Sequence, residues 1–172
     1  MDIEKALYWL NKAADAQLAL ANNNLGNLYS EEGILPFNAD KALEYYQTAA
    51  DLGEPNYTWL GYLYDLKGDY EKALSFYQLD AGQGSDVSAY NLGIFHRNGL
   101  GTSKNIDLAI ECFRLALDRE YQLSHLELAK IYRDEKGFKD EKKVEQHIKE
   151  ARAAGLEIPE ELLVKKKGWF GF

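Results

Sequence analysis

The sequence predicts an all-α fold in which pairs of helices repeat along the chain and form a solenoid. The first observation is the alanine of a recurrent KAL-like motif, which stands at Ala6, Ala42, Ala73 and Ala109, at spacings of 36, 31 and 36 residues. The second is a Leu-Gly pair, which begins at Leu25, Leu60 and Leu92, at spacings of 35 and 32 residues. Two markers with the same period, both shortened at the same repeat, indicate an array of stacked units rather than a single closed core.

The third observation is the apolar spacing inside each repeat. Ala42, Leu43, Tyr46, Ala49 and Ala50 fall on one face of a helix. Small residues beside large ones on that face allow two helix backbones to approach closely while the aromatic rings fill the gaps. One helix pair cannot bury its own apolar face, so neighbouring pairs are expected to stack.

Breaks in this pattern predict where the helices begin and end. Gly53 suits the left-handed end of a helix, and Pro55 suits the first turn of the next one. Asp69 and Asn105 are predicted N-caps. The predicted helices cover residues 1–16, 19–32, 39–53, 55–67, 69–81, 87–98, 105–119, 124–135 and 138–154, with a short extra helix within residues 156–164.

The predicted domain organisation is a repeat array over residues 1–155 and a C-terminal extension over residues 156–172. The array holds about four units, an N-terminal half-repeat and a charged closing helix. The half-repeat leaves Ile3, Leu7 and Leu10 with one neighbouring helix, so either the chain is a piece of a longer protein or this edge joins another copy. The aromatic, lysine-rich end of the extension is interpreted as a tail folded back on the array or a loose end, ahead of a docking peptide.

The repeated unit resembles the Sel1-like repeat, a relative of the tetratricopeptide repeat. The resemblance covers residues 3–132 and is carried by the recurrent LG-x-x-Y and KAL-x-x-Y motifs and by NGLGTSKNIDLAI at residues 98–110. It implies a right-handed α-α superhelix. His96 replaces the tyrosine of the third LG motif, and Ala129 replaces the fourth glycine. The shorter stretch from Gly61 to Ala73 matches tetratricopeptide spacing, so the array is predicted to be mixed.

Charge and composition exclude several classes of function. The net charge of −8 and the pI of about 4.9 argue against nucleic acid and against an anionic membrane surface as partners. No apolar run is long enough to span a membrane, and the N-terminus does not resemble a secretory signal. A cytoplasmic location is therefore expected, provided that no signal precedes Met1. The single cysteine, Cys112, is interpreted as a small residue near the core.

Candidate catalytic residues are few. His96, His125 and His147 do not form metal-ligand spacings with one another or with the cysteine. His96 is interpreted as a partly buried structural histidine. Acidic pairs such as Glu160-Glu161 are interpreted as solvated. We therefore expect no enzymatic activity, no metal and no cofactor.

The resemblance implies that a ligand meets the first helix of each unit, in a concave groove. Counting from each Leu-Gly pair places on that surface Asn23, Asn27, Thr58, Tyr62, Tyr90, Ile94, Arg97, Lys130 and Arg133. One end of the groove is then polar and aromatic and the other basic, which favours an extended peptide with an acidic end, because arginine pairs well with carboxylates. The prediction is a non-catalytic adaptor or scaffold that binds a protein or peptide. The alternative is an immunity protein that inhibits one particular enzyme or toxin.

Overall fold

The computed structural model describes residues 2–30 and 35–163, and in this part of the chain the regular structure is entirely helical. The all-α prediction is confirmed. The helices are α1 Ile3–Asp15, α2 Ala19–Ser30, α3 Ala39–Asp51, α4 Tyr57–Leu66, α5 Tyr70–Gly82, α6 Asp86–Asn98, α7 Ile106–Asp118, α8 Ser124–Asp134, α9 Glu141–Ala153 and α10 Glu160–Leu163.

The predicted helix ends are mostly confirmed. Gly53 has a φ of 93°, and the side chain of Asn105 accepts a hydrogen bond from the backbone N of Leu108 at 3.0 Å. Asp69 accepts from the backbone N of Lys72 at 3.4 Å. The prediction for Pro55 was wrong, because Asn56 is the N-cap of α4 and the proline therefore precedes the helix. The predicted end of the second helix at Glu32 lies outside the described residues, as does the aromatic tail at residues 164–172.

The chain forms two compact units, Met1–Leu79 and Asp80–Phe172. In the N-terminal unit, α2 and α3 form one helical hairpin and α4 and α5 begin a second. Gly26 and Gly61 are buried where each hairpin closes, and a Cβ added to them would lie 2.8 Å from the ring of Tyr46 and 2.7 Å from that of Tyr77. Glycine is therefore required at the LG positions because an aromatic ring of the partner helix occupies the space of a side chain.

Helix α1 is less buried than α2, α3 and α4. It follows the same pattern as α3, yet none of its residues is buried. An apolar cleft of about 320 Å³ lies between α1 and α2 and is lined by Ile3, Ala6, Leu7, Leu10, Asn24, Asn27 and Leu28. The cleft includes Ile3, Leu7 and Leu10, the residues for which the sequence predicts an open edge, and that edge stays a prediction.

In the C-terminal unit, α6 pairs with α7 and α8 pairs with α9. Gly93 meets Phe113 as the earlier LG glycines meet their tyrosines, and a Cβ on it would lie 2.6 Å from the ring. One apolar cluster joins both hairpins and contains Ile106, Ala109, Ile110, Phe113, Leu128, Ile131, Tyr132 and Val144. This cluster supports the surface on which the C-terminal part of the predicted site lies.

Candidate functional site

In the N-terminal unit, the two predicted asparagines, Asn23 and Asn27, make hydrogen bonds within the fold. The side-chain nitrogen of Asn23 donates to the carbonyl oxygen of Glu54 at 2.9 Å, which ties α2 to the residues before α4. Asn27 accepts a hydrogen bond from the hydroxyl of Tyr46 at 2.6 Å, and Ser30 lies 3.1 Å from the same hydroxyl. These contacts satisfy the polar end of a buried ring, so a partner would have to compete with them.

Among the four predicted residues of this unit, Tyr62 is the most exposed. Its side chain is 40% exposed. Its ring packs edge-on against Trp59 with 5.5 Å between centroids, and Trp59 stacks on Tyr46 at 6.1 Å. A row of three rings therefore leads from the core to the surface at Tyr62. Thr58, the fourth predicted residue of this unit, is half-buried at the start of α4.

In the C-terminal unit, Tyr90 and Ile94 form an apolar wall. Both pack against the apolar cluster, and the ring of Tyr90 lies 5.5 Å from that of Phe113 and 4.9 Å from that of Tyr121. Burial raises the pKa of Tyr90 to about 12, so its hydroxyl is protonated at neutral pH. These residues can offer apolar contact and one hydroxyl, but no charge.

The three predicted cations converge on one cavity, which we call the α6–α8 cavity. Its volume is about 360 Å³ and its lining residues are Arg97, Asn98, Lys130, Ile131, Arg133, Asp134, Glu135 and Glu161. The sequence placed Arg97 on one repeat and Lys130 and Arg133 on the next. The structure brings all three together, because α6 and α8 occupy the same place in successive hairpins.

Each of these cations already has an acidic partner. Glu127 pairs with Arg97 across the two helices and with Lys130 at 2.9 Å, and its side chain is only 8% exposed. Arg133 pairs with the neighbouring Asp134 at 2.8 Å. The end of the surface that was predicted to be basic is therefore nearly balanced in charge. The Glu127–Lys130 spacing of three residues on one helix was a signal for this pairing that sequence reasoning missed.

A second feature missed from the sequence is a pair of facing histidines. The Nδ1 atoms of His125 on α8 and His147 on α9 lie 2.9 Å apart, and the ring of His147 stacks on Tyr132 with 5.7 Å between centroids. Burial, together with the charges of His125, Arg114 and Lys143, lowers the pKa of His147 to about 4. Burial also lowers the pKa of His125, which Glu150 opposes. At neutral pH the pair is uncharged and shares one N–H···N hydrogen bond.

The other candidate reactive groups, Cys112 and His96, are half-buried. Cys112 is half-buried, and burial raises the pKa of its thiol to about 11, so the nucleophilic thiolate is scarce at neutral pH. His96 is half-buried, as predicted, and burial lowers its pKa. Within residues 2–30 and 35–163, no cluster of three or more histidine, cysteine or acidic side chains is arranged to hold a metal ion. None of the helices in those ranges is both long enough and apolar enough to cross a bilayer. The absence of a catalytic site stays a prediction.

Comparison with known proteins agrees with the repeat pattern. A sequence model of the Sel1 repeat matches residues 2–18, 19–54 and 86–121, which together make up more than half of the chain. A tetratricopeptide repeat model matches residues 54–79, the stretch with the shorter spacing. The prediction of a mixed array is therefore confirmed.

Two solved structures are similar over most of the chain. The crystal structure of a Sel1 repeat protein from Oxalobacter formigenes matches 90% of this chain with a TM-score of 0.69 and 27% identity. The structure of c5321, a protective antigen present in uropathogenic Escherichia coli strains that displays an SLR fold, also matches 90% with a TM-score of 0.70 and 22% identity. The chain spans 65% of the length of the first protein and 34% of the second. The predicted α-α solenoid class is confirmed, and the chain belongs to the Sel1 repeat family.

Proposed function

We propose that this chain is a non-catalytic interaction module whose C-terminal unit binds an acidic segment of a protein partner at the α6–α8 cavity. Repeats of the Sel1 and tetratricopeptide families generally mediate protein–protein interaction. The observation that carries the finer proposal is the convergence of Arg97, Lys130 and Arg133 on one open cavity. The wall formed by Tyr90 and Ile94 would hold apolar side chains of the same segment.

The internal acids define which of the cations is available. Arg97 is bound to the buried Glu127, and breaking that pair would leave an unpaired charge in a poorly solvated place. Lys130 shares Glu127 with Arg97 and keeps free donor capacity, because an ammonium group has three N–H donors. Arg133 pairs with Asp134, whose side chain is 34% exposed, so this ion pair is weaker and easier to replace. We therefore expect Lys130 and Arg133 to make the contacts with the partner.

The N-terminal unit offers a different kind of contact. Tyr62 presents an amphipathic ring at the surface, and such rings are enriched at protein interfaces. Asn23, Asn27 and Thr58 are proposed as further contacts of a partner in this unit, although Asn23 is bonded to Glu54 and Asn27 to Tyr46. Self-association through the open edge of α1 is a further proposal, which sedimentation of the purified chain would test.

A peptide selection tests the acidic-ligand proposal. A library of random dodecapeptides displayed on phage is selected on the wild-type chain, and the enriched peptides are synthesised for affinity measurements. We expect enrichment in Asp and Glu. The Lys130→Met/Arg133→Met variant should lose about tenfold or more in affinity, because two charge-assisted contacts are removed.

The matched control is Lys142→Met/Lys149→Met, which removes the same charge from exposed positions of α9. We expect it to change affinity less than about twofold, as is usual for charges that make no direct contact. Circular dichroism confirms that each variant is folded. Enriched peptides without an excess of acidic residues, or equal losses in the two variants, would refute the proposal.

A further inference from the structure

The C-terminal extension contributes one wall of the α6–α8 cavity. α10 places Glu161 among the residues that line it. The next residue, Leu162, is only 5% exposed, and its backbone N donates to the carbonyl oxygen of Pro159 at 2.9 Å. The buried leucine anchors the short helix and so holds the carboxylate of Glu161 at the cavity.

Lys130 lies between two carboxylates that differ in distance and in burial. Glu127 is 2.9 Å from its Nζ atom and almost completely buried. Glu161 is 3.8 Å away and its side chain is 59% exposed. An exposed ion pair at this distance contributes little to stability, whereas loss of the inner pair would be costly. The outer carboxylate is therefore the one that an incoming acid can replace.

We propose that Glu161 is a built-in competitor for the acidic ligand, and that a carboxylate of the partner takes its place beside Lys130. This inference rests on the proposed function and adds its regulation. The extension lowers the affinity of the cavity for any acidic ligand, because its own negative charge stands where the ligand charge must go. Whatever moves α10 away, or neutralises Glu161, opens the site.

The surrounding charges are consistent with this exchange. Glu135, which also lines the cavity, pairs with Lys104 at 2.9 Å, and Asp134 pairs with Arg133 at 2.8 Å. With Glu161 displaced, the cavity gains one net positive charge, while the Arg97–Glu127–Lys130 group stays intact. The ligand carboxylate thus replaces an existing charge at Lys130 without breaking the inner pairs.

The test compares Glu161→Gln with Glu160→Gln. Glu160 carries the same charge one residue away, is exposed, and is not part of the cavity lining. The probe is the acetylated, amidated peptide Glu-Glu-Glu-Tyr, titrated at low salt into the 15N-labelled full chain, with Gln-Gln-Gln-Tyr as the uncharged reference. We expect Glu161→Gln to bind the acidic peptide about fivefold more tightly than the wild type, as removal of one charge near 4 Å predicts. Glu160→Gln should change affinity less than about twofold, since its charge is more fully screened.

A third variant fixes the place of competition. In a Lys130→Met background, Glu161→Gln should bring no further gain, because the residue for which both carboxylates compete is gone. A gain as large as in the wild-type background, or equal effects at Glu160 and Glu161, overturns the inference. If the wild type binds through Lys130 but Glu161→Gln behaves as Glu160→Gln, only the inference fails. If neither the wild type nor any variant prefers the acidic peptide, the proposed function fails with it.

Discussion

The hairpin α2–α3 and the hairpin α6–α7 are built on one pattern but differ at several matched positions. In the first, the Nζ atom of Lys41 lies 4.9 Å from the ring centroid of Tyr29, and Lys72 and Lys143 make the same contact with Tyr64 and Tyr132. In α6–α7 both members change together, since His96 stands for the tyrosine and Leu108 for the lysine. The two departures from the repeat thus occur together, at positions whose residues contact each other in the other hairpins.

The hairpin α8–α9 shows the same rule at the contact between the glycine of the LG pair and the aromatic ring of the partner helix. Ala129 replaces the glycine of the LG pair, and Ile148 stands where Tyr46, Tyr77 and Phe113 stand in the other hairpins. A side chain appears on one helix where the aromatic ring disappears from the other. Ile148 packs against the apolar cluster of the C-terminal unit. The two side chains at this contact thus change together between hairpins: where one becomes larger, the other becomes smaller.

The largest effect is expected from disrupting the contact between Gly93 and Phe113 in α6–α7. Gly93→Ala places a Cβ 2.6 Å from the ring of Phe113. That ring is fully buried and cannot move freely, so we expect the free energy of unfolding to fall by about 2 kcal/mol. Adding Phe113→Ile imitates α8–α9 and should make the double variant more stable than the sum of the two single changes by about 1 kcal/mol. Urea unfolding measures all three.

The control is Ala129→Gly in α8–α9. It should cost only about 1 kcal/mol, the helix propensity of alanine over glycine, because no ring waits to fill the space. A Gly93→Ala variant as stable as the wild type, or strict additivity with Phe113→Ile, would contradict the paired-contact rule.

The two hairpins of the C-terminal unit should differ in how strongly acid lowers their stability. His147 has a folded pKa of about 4, below the 6.5 of an unperturbed histidine. The unfolded chain therefore binds more protons between these values, and stability falls as pH drops from about 6.5 towards 4. Because His147 is partly exposed, the loss at pH 4 should be on the order of 1 kcal/mol after solvent screening. Urea midpoints across this pH range measure it.

His147→Gln should remove this part of the acid sensitivity. His96→Gln is the reference in α6–α7, because His96 is also half-buried with a lowered pKa but has no facing histidine. We expect a smaller change from it. Equal effects of the two variants would show that the facing pair has no special role.

A stabilising change is expected at the end of α7. The second helices of the units, α1, α3, α5, α7 and α9, end at equivalent positions of the repeat. The residue two positions beyond each helix end has a positive φ; these residues are Gln17, Gly53, Gly84, Glu120 and Gly155. Glu120, with a φ of 70°, carries a side chain in a conformation that favours glycine. Glu120→Gly should raise the free energy of unfolding by about 1 kcal/mol, whereas Gly53→Glu should lower it by a similar amount. Thermal unfolding decides the sign.

The smallest effect concerns the exchanged cation contact. His96→Tyr with Leu108→Lys restores in α6–α7 the pair found in the other hairpins. We expect a gain of about 0.5 kcal/mol in the double variant that neither single change gives, as for a cation–π contact near the surface. A double-mutant cycle with no coupling would show that the paired exchange in the sequence has no energetic basis.

The fold could be predicted from the sequence because its determinants are local and repeated. The spacing of alanine and leucine-glycine markers gives helix phase, and Gly53 and Asn105 mark helix ends. The same phase put Arg97, Lys130 and Arg133 on one surface. The pairing of Lys130 with Glu127 could have been predicted from their spacing on α8. The pairing of Arg97 with Glu127 joins two helices, and the position of Glu161 follows from the path of the extension, so neither could be predicted. The His125–His147 contact was missed since the two residues are 22 positions apart and meet only when α8 packs on α9.

The position of a bound peptide on the chain can be measured directly. A peptide recovered by the library selection is labelled with a nitroxide at one end, and amide signals of the 15N-labelled chain are compared with and without the bound spin label. We expect signals to weaken along α6 and α8, around Arg97 and Lys130, and to persist along α7 and α9. Weakening centred on α7 and α9 would contradict this expectation.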